Sequence, residues 1–116
     1  MKMIKYRIYD YVYEAMKNGV KKAEVRLYNE KSSKIKAGDL IEFSVVDDEN
    51  KKLVVQVTHV YCFNNVDELW AIKDKILPSN LKTKEDVRNT LYDIFGEDKV
   101  KGSKLVGIEF NLVKSD

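Results

Sequence analysis

The sequence predicts an α+β fold, mainly β: a small, mostly antiparallel barrel of about five short strands, with about three helices to its side. Three observations carry this. Five or so segments read as strands and three as helices. Their order is strand, helix, several strands, two helices, strand, which lacks the regular βαβ alternation of a doubly wound parallel sheet. The chain has 116 residues, 44% hydrophobic and 34% charged, which suits one core and leaves no room for a second. A single domain over 1–116 is expected.

The elements follow in order. Residues 3–7 form a short strand. Ile8, Tyr11, Val12, Ala15 and Met16 then recur at helical spacing. Asn18-Gly19 stops that helix, because glycine readily takes the left-handed conformation that ends helices. Residues 23–28 alternate, with Ala23, Val25 and Leu27 on one face and Glu24, Arg26 and Tyr28 on the other. NEKSSK is a loop and KAGD a turn into the next strand, whose buried face is Ile41, Phe43 and Val45. DDEN, residues 47–50, turns the chain into LVVQVTHVY, residues 53–61, completing the clearest hairpin.

Asn65 and Glu68 stand at capping-box spacing before a short helix that holds Leu69 and Trp70. Pro78 breaks the chain, and Thr83 is an N-cap for a second helix with Val87, Leu91 and Ile94 at core spacing. Gly96 ends it, and a charged loop follows. The last strand, near 104–112, places Val106, Ile108, Phe110 and Leu112 on one face.

Net charge is +2, but it is unevenly spread. Residues 17–36 hold Lys17, Lys21, Lys22, Arg26, Lys31, Lys34 and Lys36 against Glu24 and Glu30, an excess of +5. A basic zone on a mildly acidic body suits an anionic ligand such as a phosphate backbone; it also suits a solvated lysine-rich loop.

Within that zone Glu24 and Arg26 share a strand face about 7 Å apart, so they can reach one ligand or each other. Arginine offers a planar fork for phosphate or a base edge; glutamate can accept from an amino group or act as a base. Lys21 lies at the bend before the strand and can fold over the same place. Tyr28 continues the face and can stack on a base or cover the strand edge. Tyr6, Tyr9, Tyr11 and Tyr13 crowd the N-terminus, where core packing is the expected role for most, and exposed rings would form a stacking platform.

Gly38 and Asp39 read as structural, a positive-φ turn and a carboxylate for nearby backbone N–H groups. Lys34 and Lys36 either contact phosphate or are solvated. His59 and Cys62 cannot complete a standard zinc site, and alternation puts His59 on the Val55–Val57 face as a partly buried structural residue. Asp47, Asp48 and Glu49 lack EF-hand spacing. No metal and no cofactor are expected. The single cysteine, the lack of an apolar leader and the lack of about 18 consecutive apolar residues give the expectation of a cytoplasmic protein without a membrane partner.

Gly19, Lys21, Glu24 and Arg26 spell G-x-K-x-x-E-x-R, which resembles the signature of the ASCH domain, a branch of the PUA-like fold. The resemblance continues through Leu27-Tyr28, through IKAGD at residues 35–39, and through Ile41 and Phe43. Leu77-Pro78 and GIEF at residues 107–110 also fit small prokaryotic single-domain members. It implies a mixed β-barrel flanked by helices, with a cleft bordered by the signature residues. It also implies RNA or a nucleotide-like ligand; with the basic zone, this gives the expectation that Lys21, Arg26 and Lys36 contact phosphate, Glu24 reads an amino group or orients Arg26, and Tyr28 stacks.

An enzymatic branch of the superfamily deacetylates N4-acetylcytidine with a lysine, a threonine and a glutamate. Lys21 matches the lysine, but Glu24 stands where the threonine would be. Catalysis by Lys21 and Glu24, as an amidohydrolase or a ribonuclease, is the alternative to a pure binding module.

Overall fold

The structure is a computed structural model and describes residues 3–77 and 81–115. The strands are β1 (Met3–Ile8), β2 (Ala23–Leu27), β3 (Leu40–Val45), β4 (Asp48–Phe63) and β5 (Leu105–Ser115). The helices are α1 (Asp10–Lys17), α2 (Val66–Ala71), α3 (Lys73–Ile76), α4 (Lys84–Phe95) and α5 (Glu97–Lys101), with a 3-10 turn at Ser32–Lys34. The strands form one five-stranded sheet in the order β1-β3-β4-β5-β2. The β1–β3 pair is parallel and β3–β4 antiparallel, so the sheet is mixed and the fold is α+β, mainly β. The expected break at Pro78 lies outside the described residues.

The chain forms two compact units. The first comprises Met1–Lys22, Lys36–His59 and Glu109–Asp116. Its core is built by strand alternation: Ile4 and Ile8 from β1, Ile41, Phe43 and Val45 from β3, and Leu53, Val55 and Val57 from β4 are all buried. The Phe43 ring centroid lies 6.2 Å from that of Tyr6 and 5.9 Å from that of Phe110.

Helix α1 adds Tyr13 and Met16, one turn apart, as its buried stripe. Tyr11 sits about 200° around the helix from Tyr13 and is exposed, contrary to the expected stripe. The hairpin turn also shifts. β4 begins at Asp48, so the tight turn is Val46–Asp47 rather than the whole DDEN run. The register slips between Ser44, opposite Lys52, and Val45, opposite Asp48. That bulge absorbs the extra polar residues, and Asp48 accepts from the Asn50 N–H at 3.1 Å.

The second unit comprises Ala23–Ile35 and Val60–Ile108. Its core gathers Ala23, Phe63, Val66, Leu69, Ile76, Val87, Leu91, Val100 and Leu105, with Val25, Leu27 and half-buried Trp70 packed against them. Asn65 caps α2 by accepting from the Glu68 N–H at 3.0 Å. The Glu68 carboxylate accepts from the Asn64 backbone and side chain, one residue earlier than a capping box requires. Thr83 and Asp86 do form the reciprocal capping box of α4.

Val87 and Leu91 face the core, but the four-residue spacing continues to Phe95, and Ile94 is exposed. The expected charged loop is α5, which starts directly after Gly96 at φ +95° and buries Val100. Leu105, Val106, Gly107 and Ile108 of β5 are buried in succession, so this strand is covered on both faces there. Alternation puts Leu112 on the face of Val106, Ile108 and Phe110, but it lies in the exposed 111–115 end of β5.

Candidate functional site

Strand β2 ends the sheet order beside β5. Backbone bonds flank it: the Phe110 N–H donates to the Lys22 carbonyl at 3.0 Å, and the Tyr28 N–H to the Lys104 carbonyl at 2.8 Å. One index rises as the other falls, so the two strands run antiparallel. Ala23, Val25 and Leu27 belong to the apolar cluster. Alternation therefore turns Glu24, Arg26 and Tyr28 to the opposite face.

There Arg26 Nη2 donates to Glu24 Oε2 at 3.1 Å. The side chains keep only 20% and 14% of their surface exposed, so the pair is sheltered rather than spread into bulk water. Tyr28, at the strand's end, is exposed.

The loop after β2 is locked by a reciprocal clamp. The Asn29 N–H donates to Ser32 Oγ and the Ser32 N–H to Asn29 Oδ1, each at 2.9 Å. Ser32 Oγ–H also donates to the Leu27 carbonyl at 2.8 Å, and Ser32 is 1% exposed. This fixes Lys31, the residue before the 3-10 turn. Lys31 is exposed as a whole residue, yet some desolvation pushes its ammonium below the ordinary value, and the positive charge of Arg26 pushes it further. Lys31 and Arg26 therefore stand near enough for their positive charges to repel. Sequence reasoning counted Lys31 in the basic zone but did not assign it to the site. The available signal was the Asn-x-x-Ser spacing, which favours side-chain bonding to backbone in a turn.

The other expected residues belong to the first unit. Gly19, at φ +76°, follows the Asn18 C-cap of helix α1, and the Lys21 N–H donates to the Ala15 carbonyl at 3.0 Å. The glycine of the motif thus sets the bend that carries Lys21, which is half-buried. Lys36 is exposed and its N–H donates to Asp39 Oδ2 at 3.0 Å. Gly38 has φ +96° and Asp39 is buried, so both serve the turn as expected.

His59 is exposed, correcting the partly buried position expected from alternation; its Nδ1 lies 3.8 Å from Glu109 Oε1. The buried face of β4 in the first unit ends at Val57, two residues earlier. Cys62 is an exposed free thiol. Among the described residues no three His, Cys, Asp or Glu side chains gather as a metal group, and no helix is long and apolar enough to cross a membrane.

No protein-family model matches the chain, and no curated protein matches it. Solved structures do. The crystal structure of hypothetical protein PH0355 superimposes with a TM-score of 0.77 at 25% identity, covering 97% of this chain and 100% of that one. The solution structure of protein PF0455 from Pyrococcus furiosus gives 0.69 at 25% identity, over 97% and 99%. The ASCH protein of Zymomonas mobilis gives 0.60 at 11% identity, over 98% of this chain and 72% of that one. Likeness of this extent settles the architecture: the chain has an ASCH-like fold.

Proposed function

We propose that the protein is a non-catalytic module that binds RNA or a nucleotide-like anion through the outer face of β2 and the loop behind it. The observation that carries this is the sheltered Arg26–Glu24 pair, with the Lys31 ammonium near enough to feel the charge of Arg26. Some desolvation and the charge of Arg26 disfavour the ammonium of exposed Lys31. A phosphate there would relieve the repulsion between the two cations, with the guanidinium supplying a fork and the ammonium a point charge. Exposed Tyr28 offers a ring for stacking.

In this reading Glu24 orients Arg26 or accepts from a base amino group. Lys21 and Lys36 are assigned phosphate contacts on charge alone. The ASCH-like fold supports the reading, since PUA-like domains commonly bind RNA.

The test is binding of a short single-stranded RNA by fluorescence anisotropy at rising salt. A module using all four phosphate contacts loses affinity about 50-fold between 50 and 200 mM salt, and one using Arg26 and Lys31 alone about 7-fold. Salt-independent binding, or none, would contradict it. Release of acetate from N4-acetylcytidine, or cleavage of the RNA, would replace the binding reading with the hydrolytic one.

A further inference from the structure

A separate cleft lies wholly within the second unit, among α2, α4 and α5. Its volume is about 210 Å³. Buried Val66 and Val100 are its apolar lining, and Arg88 and Tyr92, one turn apart on α4, line the same wall. Lys101 from α5 holds its ammonium 5.9 Å from the centre of the Tyr92 ring.

The acids around it are already engaged. Asp67 Oδ1 lies 3.0 Å from the Lys84 ammonium, and Glu97 Oε2 lies 3.7 Å from that of Lys101. Half-buried Arg88 holds no hydrogen bond or ion pair among the described residues. A guanidinium that is partly shielded from water, next to an aromatic ring and a second cation, lacks its anion.

We infer that this cleft takes the phosphate end of one nucleotide unit. Arg88 would grip the phosphate, with Lys101 adding charge, and the sugar or base would pack on Tyr92 and the two valines. The volume falls below the roughly 300 Å³ at which pockets begin to enclose whole drug-sized ligands, so one phosphate-bearing unit is held and the remainder projects outward. The same chemistry belongs to a free nucleoside monophosphate and to the phosphorylated end of an RNA strand. The site shares no residue with the β2 face, and its test is independent of that reading.

The experiment is NMR or calorimetric titration of the full chain with adenosine 5′-monophosphate, adenosine and inorganic phosphate. The expected result is binding of the monophosphate, at least 10-fold weaker binding of adenosine, and a 10-fold or greater loss in Arg88→Gln. Lys101→Gln, an exposed substitution that spares the fold, should weaken it several-fold. Tyr92→Leu should weaken the monophosphate and leave inorganic phosphate unchanged.

Comparing a 5′-phosphorylated oligonucleotide with its 5′-hydroxyl form separates the two sources. A preference assigns the cleft to RNA ends, and no preference assigns it to the free nucleotide. Equal binding of adenosine and its monophosphate, unchanged affinity in both Arg88→Gln and Lys101→Gln, or no binding of any phosphate probe at millimolar concentration would overturn the inference.

Discussion

Arg26 Nη2 donates to Glu24 Oε2 at 3.1 Å across a single strand face, with both side chains largely withdrawn from water. A sheltered pair is costly to break from one side, because the remaining charge keeps its desolvation without its partner. Glu24→Gln should therefore lower stability by about 1–2 kcal/mol, between the values for exposed and fully buried pairs. Urea unfolding with an unchanged slope checks this. Arg26→Gln should weaken RNA binding and reduce the salt slope by about 1, the signature of one lost phosphate contact.

Lys31 gives a pH signature. Its folded-state value is below the ordinary 10.5, by desolvation first and Arg26 second. The charged form is thus disfavoured in the fold at neutral pH, and that penalty disappears as pH rises past the unfolded lysine value. A phosphate alongside would draw the value back up, so binding takes up protons in the window just below 10.5. RNA affinity should fall as pH rises through that window, and Lys31→Gln should lose that component. Anisotropy titrations from about pH 7 to about pH 10 measure it.

The clamp behind β2 is testable by itself. Ser32→Ala removes the acceptor for the Asn29 N–H and the donor to the Leu27 carbonyl at a buried position. A loss of about 1–3 kcal/mol is expected, as is weaker RNA binding, because Lys31 is no longer fixed. Amide hydrogen exchange of Asn29 and Ser32 should rise in step.

Gly107 is set by space rather than by φ. A Cβ there would lie 2.9 Å from Phe63 Cε2 and 3.5 Å from Ile76 Cδ1. The Phe63 ring is itself buried and has little room to yield. Gly107→Ala should cost about 1–3 kcal/mol, seen as a lower urea midpoint.

What the sequence disclosed was whatever depends on local periodicity. The alternation of Ala23 to Tyr28 placed Glu24 and Arg26 on one face, and Thr83 marked the start of α4, because both are decided within a few residues. Positions that depend on where a core ends were not legible. Leu112 and His59 continue their patterns past the edge of the buried region and are exposed. Tyr11 and Ile94 failed because several apolar residues fit a 3.6-residue period, and only packing chooses among them. Lys31 escaped notice because its proximity to Arg26 is created by the Asn29–Ser32 clamp, a loop conformation with no period to read.

The most direct test of the β2 face is an amide chemical-shift titration of the labelled protein with a short single-stranded RNA. The account predicts saturable shifts at Glu24, Arg26, Tyr28 and Lys31. Saturable shifts at other residues, with these four unmoved, would contradict it.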